Sequence, residues 1–380
     1  MSWETFAAKP RSIKIYTAEI SVADPANPTA EREVLRFSSD GIDPALSALP
    51  YSPCIASLPT FTRSLQSMTY GRTTAAFGNM VLLTGGGHLD SFIHDYIFAG
   101  APVVIKSGFD GLDVSEFKEI FSGRVTDAPT WNDTKLTLSL ADGVRDLLDH
   151  KLTEQTLSGV LPTVVSGLLD AAGITADKRD SAMWDAWKAE NNFSIWLPIS
   201  ANQTLGNVLD LLLSPLASWY TFDRSGLFRI ATFAGPEAEA VPVLELTDLE
   251  LTKFSEKNHG KHTWKVVVTY YTATGASSTT AETSWEDSTI KDLNPVAVEM
   301  SKNTVLTALA DANTVRDRWK ELFFVRRLVA TAVAKTRLFG VNMGDHVHIF
   351  RDRLNINDMY RVTKIIDNAT KNSVTLELMR

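Results

Sequence analysis

Apolar residues in the first part of the chain recur at every second position. Ile13 and Ile15 alternate with polar neighbours, Val103-Val104-Ile105 is a short apolar run between Pro102 and Gly108, and Leu136, Leu138 and Leu140 alternate with Lys135, Thr137 and Ser139. A side-chain period of two belongs to a strand with one buried face. Glycine and proline interrupt the region at short intervals, from Asp40-Gly41 through Gly85-Gly86-Gly87 to Gly111. Many short strands joined by turns point to a sandwich or a barrel. Asp142, followed by Gly143-Val144-Arg145-Asp146-Leu147-Leu148, then predicts a short helix leaving this unit.

The period changes in the middle of the chain. Leu161, Val164, Val165, Leu168, Leu169 and Ala172 share one helical face, and Gly173 stands where a helix is expected to stop. Leu205, Val208, Leu209 and Leu212 repeat the pattern up to Pro215, and Met183, Trp184 and Trp187 sit at helical spacing between the two. Two strand-like runs around Asp223-Arg224-Ser225-Gly226 predict a hairpin. The last third returns to strands at Val266–Tyr271, 325–337, 346–350, 359–366 and 374–378. One helix of about twenty residues is predicted among them from Val305, Leu309, Ala312, Trp319 and Phe323. The Thr-, Ser- and Ala-rich stretch from Ala273 to Asp287 reads as a mobile loop that orders on meeting a partner. The predicted class is therefore α+β, mainly β. It comprises a barrel-like domain over 1–153, a helix-containing α+β domain over 154–240, and a second barrel-like domain over 241–380 with an inserted helix and mobile loop.

The two ends of the chain resemble one another. Arg124-Val125-Thr126, a turn with Asn132 and Thr134, and Leu136-Thr137-Leu138-Ser139-Leu140 match a second set. That set is Arg361-Val362-Thr363, a turn with Asn368 and Thr370, and Val374-Thr375-Leu376-Glu377-Leu378. Each hairpin follows a short apolar strand, Val103-Val104-Ile105 in one case and Val347-His348-Ile349 in the other. If this is a duplication, three copies of the chain can present six similar units around an axis.

Composition narrows the chemistry. A net charge of −8 makes the chain a poor candidate for gripping a phosphate backbone. The single cysteine, Cys54, rules out an intramolecular disulfide, fits a small buried hydrophobe, and points to folding in a reducing compartment. Met1-Ser2-Trp3-Glu4 does not open a signal peptide, and no apolar run reaches the ~20 residues of a membrane span. Gly85-Gly86-Gly87 lacks the Lys-Ser/Thr of a phosphate loop and reads as a turn. His88, Asp90, His94 and Asp95 are metal-ligand types without a standard spacing, and His346 and His348 share a strand face with no third ligand in view. No Gly-x-Ser-x-Gly motif or paired carboxylate stands out. The sequence therefore predicts no enzyme, with no catalytic, cofactor-binding or metal-binding residues. The tryptophans, Trp3, Trp131, Trp184, Trp187 and Trp196 among them, are candidates for core or interface anchors.

Several segments, in order along most of the chain, resemble the baseplate hub proteins of long-tailed phages and related gene transfer agents. Asp40-Gly41, Tyr51-Ser52-Pro53 and Phe77-Gly78-Asn79-Met80-Val81-Leu82-Leu83 stand where those proteins have early barrel strands. Leu89-Asp90 with Phe98-Ala99-Gly100-Ala101-Pro102-Val103 is similar to their Leu-Asp … Gly-Arg-Pro-Val segment, with Ala101 in place of the arginine. Phe121-Ser122-Gly123-Arg124-Val125 and Leu140-Ala141-Asp142 resemble their Phe-x-Gly-x-Val strand and its exit into a helix. Gly340 to Val347 resembles the Leu-Gly-Asp-x-Val segment of their second barrel, with Met343 at the leucine position, and Tyr360-Arg361-Val362-Thr363 the strand after it. The resemblance implies two related tail-tube-like barrels per subunit in a homotrimeric, pseudo-six-fold ring of the virion, assembled in the bacterial host cytoplasm. Its implied partners are the distal tail protein, a tail tip or central fibre protein and the tape measure protein, with DNA passing through unbound and no span across a membrane. A distal tail ring protein is the close alternative. A cell-wall hydrolase and a carbohydrate-binding tail protein are more distant ones. Because the chain ends on a strand of the second barrel, no appended lysin domain is expected.

Overall fold

In the computed structural model the described residues are 13–27, 29–65, 71–85, 87–235, 241–247, 251–259, 262–324, 327–335, 340–368 and 373–380. Two large antiparallel sheets dominate. In the first, five strands run in chain order as Ile55–Ser57, Phe77–Leu83, Pro102–Phe109, Lys118–Val125 and Lys135–Ala141. In the second they are Leu251–His259, Arg327–Lys335, His346–Arg351, Ile356–Asn368 and Ser373–Met379. Both sets have the same spatial order, third, fourth, fifth, second, first, with every neighbouring pair antiparallel.

Each sheet curls until its edges are neighbouring stretches of one chain segment. Ser52–Pro53 and Ile55–Ser57 form the two edges of the first sheet, and Leu244–Leu246 and Leu251–His259 those of the second. In the second, Leu244–Leu246 pairs in parallel directly with the third strand. In the first, the hairpin Lys14–Val22/Glu33–Ser38 is interposed and widens the sheet. Closure of this kind leaves few backbone groups at a bare edge.

The repeated hairpin matches down to its hydrogen bonds. Val125 lies opposite Leu140 and Arg124 opposite Ala141, just as Val362 lies opposite Leu378 and Arg361 opposite Met379. Thr126 Oγ1 donates to Ser139 O at 3.3 Å, and Thr363 Oγ1 to Glu377 O at 3.1 Å. Identical strand order, with the same two cross-strand pairs and the same side-chain bond, is more than a shared preference for alternating residues produces, so the structure supports the duplication. Thr370, in the second turn, lies outside the described residues.

Between the barrels lies a helical layer. The strands Gln155–Val160 and Ser194–Ile199 pair with each other, and the helices Leu161–Ala171 and Ser181–Glu190 lie between them in sequence. Helix Leu205–Leu213 buries Leu205, Val208, Leu209 and Leu212, as its periodicity predicts. The hairpin Ser218–Phe222/Phe228–Thr232 forms around Asp223–Gly226. Trp187 is buried and donates to Ser218 Oγ at 3.0 Å, so it anchors the layer internally.

Two expectations change. Ala273–Asp287 is not a mobile loop: Thr279–Glu286 is a strand paired with Thr263–Ala273 along its length. It is an edge strand, so most of its side chains face water and its polar composition imitates a loop. Thr283 and Trp285 face the helix Leu309–Phe324, with Thr283 Oγ1 donating to Asn313 Oδ1 and Trp285 edge-on to Phe324. That helix is shorter than predicted. It has 16 residues and begins at Leu309, while Val305 is buried in the extended approach to it.

Candidate functional site

The feature that holds the two barrels together is the short strand Thr60–Ser64. It follows directly on the segment that closes the first sheet, yet it hydrogen-bonds in the second. Ser64, Arg63, Thr62, Phe61 and Thr60 lie opposite Lys364, Ile365, Ile366, Asp367 and Asn368. The strand's own alternation sets which side chains are buried. Phe61 is fully buried and stacks on Phe121 of the first sheet, with ring centroids 4.2 Å apart. Arg63, two residues on, points the same way.

Arg63 is 2% exposed, an uncommon place for a guanidinium. It is compensated from both barrels. Its Nε lies 3.9 Å from Asp142 Oδ2 in the first, and its Nη1 lies 3.5 Å from Asp367 Oδ2 in the second. A third element contributes Arg224, at the tip of the middle hairpin. It grips Asp367 with two donors, Nη2 to Oδ1 at 2.8 Å and Nε to Oδ2 at 3.2 Å, and also donates to Val341 O. Such a fork is the strong form of the ion pair.

Asp142 caps the helix Gly143–Asp149 by accepting from Val144 N and accepts from Ala76 N as well. Burial pushes its carboxyl up to about 6, against the pull of Arg63 and the backbone donors. Lys14 is forced down to about 7, chiefly by burial, with Asp367 opposing that shift and Arg224 adding to it. The cluster thus joins the first barrel, the second barrel and the middle layer through ionised groups shielded from water. Removing Asp367 takes away the carboxylate that both guanidinium groups face.

The chain beyond the strand continues the tie. Gly71–Arg72 pairs in parallel with Trp219–Tyr220, and Thr73 Oγ1 lies 2.8 Å from Thr221 Oγ1. Arg72 pairs with Asp210 at 3.0 Å, and Tyr220 donates to the same carboxylate.

The sequence segments singled out above owe their residues to this assembly. A side chain at Gly123 would place its Cβ 2.2 Å from Ala141 O, so the two strands can approach only with glycine there. Gly344 has a φ of +81°, and a Cβ on it would lie 2.3 Å from the Trp219 ring of the middle layer. Asp345 then accepts from Asn342 N at 2.7 Å and meets Arg229 at 3.3 Å.

The candidates for chemistry lie elsewhere and stay apart. Asp90, His94 and Asp95 belong to a short helix, Asp90–Asp95, that no pattern in the sequence predicts. His88 Nδ1 contacts Gly85 O at 3.0 Å. His348 lies 4.0 Å from Glu245. Among the described residues no group of three His, Cys, Asp or Glu is placed to hold a metal ion. Cys54 is buried, and burial raises its thiol to about 11, away from the nucleophilic range. A cleft of about 750 Å³ is walled in part by Arg124, Arg145 and Asp149, which are engaged with one another. No helix among the described residues is long and apolar enough to cross a membrane. Trp3 lies outside the described residues. Arg63 and Asp367 went unmarked in the sequence, and Arg224 entered only as part of a turn. The only available signal was an arginine alternating with a phenylalanine in a strand-like run.

No protein-family model matches the chain, and no curated protein does. Solved structures do match. The tail protein from Neisseria meningitidis MC58 superposes with a TM-score of 0.54 at 12% identity over 96% of each chain. The 43 kDa tail protein of prophage MuSo2 from Shewanella oneidensis does so with a TM-score of 0.52 at 14% identity, over 95% of this chain and 98% of that one. At these identities the likeness is one of fold. The chain shares the architecture of these tail proteins over 95–96% of its length, in agreement with the resemblance read from its motifs.

Proposed function

We propose that this chain is a structural, non-enzymatic component of a phage-type tail, acting as the baseplate hub. In that role three copies close into a ring of six similar barrels. The ring joins a six-fold tube or distal tail ring to a three-fold tip or fibre. It leaves a central channel for the tape measure and for DNA that is not specifically bound. Localisation to the virion tail, assembly in the host cytoplasm and division into units over 1–153, 154–240 and 241–380 belong to the same proposal.

The observation that carries it is the duplicated five-strand sheet with its shared register. Only a chain with two equivalent sheets can let three molecules match a hexagon. The strand Thr60–Ser64 and its buried ion cluster support the reading, because a ring of alternating first and second barrels needs a fixed angle between them. The fold shared with tail proteins supports it too. A six-fold distal tail ring needs only one barrel per subunit, which is why the hub is preferred. Electron microscopy of the purified chain, alone and with its tail, tests the proposal: a ring with six density lobes and three-fold symmetry is expected. Isolated molecules bound to the outside of the tail overturn it.

A further inference from the structure

One end of the first barrel presents an exposed tryptophan. The hairpin Thr130–Trp131/Lys135–Ala141 turns on Asn132, whose Oδ1 accepts from Thr134 N at 3.0 Å and Lys135 N at 2.9 Å. This tight turn holds Trp131 at the tip with 54% of its surface in water. His94 lies edge-on to the indole at 6.2 Å, and the exposed Leu83 and Ile97 belong to the strand end and connecting segment at the same end of the sheet. Ile97 is fixed to the same end by its backbone bond to Ala23 O, and Tyr96 by its hydroxyl on Glu33.

A tryptophan is costly to leave in water, and a rigid turn prevents it from folding back onto the protein. An exposed aromatic on a preorganised support is the usual anchor of a protein contact. The surroundings set the sign of the partner. Asp24, Glu31, Asp90, Asp95 and Asp133 fall in the connecting segments and short helix at this end of the sheet and Glu33 at the start of its strand, against two cations, Arg32 and Lys135, and Glu33, Asp24 and Asp95 gather around Tyr96. The same end of a second copy carries the same charge, so self-association through this face is opposed.

We propose that the end of the first barrel bearing Trp131 is a docking surface for a basic protein surface that offers an apolar recess. Trp131 supplies the buried centre and the carboxylates the rim. The proposal goes beyond the hub reading and does not rest on it.

The full chain is titrated with two fluorescent synthetic peptides of equal positive charge, one alternating lysine with leucine and the other lysine with glycine. The leucine peptide is expected to bind tighter. Trp131→Ala should weaken it about tenfold while leaving the unfolding midpoint in place. A Glu33→Gln/Asp95→Asn/Asp133→Asn variant should flatten its salt dependence, and Phe77→Ala, on the barrel wall, should change nothing. Equal binding of both peptides, unmoved by Trp131→Ala, shows charge attraction only and overturns the proposal. So does salt dependence unchanged in the amide variant, or a wild-type dimer that Trp131→Ala disperses, which makes a second copy the occupant.

Discussion

Replacing Asp367 with alanine tests the junction most severely. The carboxylate is 1% exposed, takes a two-pronged bond from Arg224 and faces Arg63 at 3.5 Å. Asp367→Ala removes the carboxylate that Arg224 grips and that Arg63 faces, and leaves Arg63 with Asp142 at 3.9 Å. Breaking a buried pair from one side costs about 3–5 kcal/mol. Arg63→Met should behave differently. Arg63 makes ion pairs, but none of its three guanidinium nitrogens makes a direct hydrogen bond. Its removal leaves Asp367 with Arg224 and Asp142 with two backbone donors. A methionine stem fills much of the space, so the cost should be ~1 kcal/mol or less. Equilibrium urea unfolding of the full chain, followed by far-UV circular dichroism, measures both. An Asp367→Ala cost below about 1 kcal/mol, or an Arg63→Met cost equal to it, would refute the reasoning that the cluster is a closed set of mutually compensating charges.

The remaining predictions concern the same assembly. Asp142 binds its proton more tightly folded, at about 6, than at its ordinary 3.8. Its ionisation therefore lowers stability as pH rises through that window, by up to about 3 kcal/mol, and a pH series should show that segment flattened in Asp142→Asn. Gly344→Val forces a left-handed backbone on a β-branched residue and drives its Cβ into Trp219. It should cost more than about 2 kcal/mol and shift the tryptophan emission, as fluorescence-detected unfolding will show. Phe61→Ala, which empties the stack on Phe121, should cost about 3–5 kcal/mol. Phe77→Ala, 75% exposed, should stay within ~0.5 kcal/mol in the same assay.

Much of the local structure was legible because it is set by neighbours in sequence. The alternation at Leu136, Leu138 and Leu140 is a strand with those three residues buried. The spacing of Leu161, Val165, Leu168 and Leu169 is a helix, and the chain turns after it at Gly173. The repeat was visible for the same reason, since a hairpin's register is written in two adjacent strands. What escaped was set by residues far apart. Thr60–Ser64 shows an alternation but nothing that says its partner lies some 300 positions on. The buried state of Arg63 follows from that pairing alone. Thr279–Glu286 was read as loop because its outer face is polar, and the helix covering its inner face comes later in the chain. Asp90–Asp95 is too short for a period to appear and has no side-chain cap at its start. Trp131 was noticed as one tryptophan among nine. Only the turn at Asn132 shows that it is held outward while Trp187 and Trp219 are buried.

The central claim is that one polypeptide supplies two equivalent sheets, locked together, for a closed assembly of three. The mass of the intact ring, measured under native conditions after release from its tail, tests this most directly. The account predicts three copies of a 41.8 kDa chain. Six copies, with one barrel of each facing the axis, would contradict it.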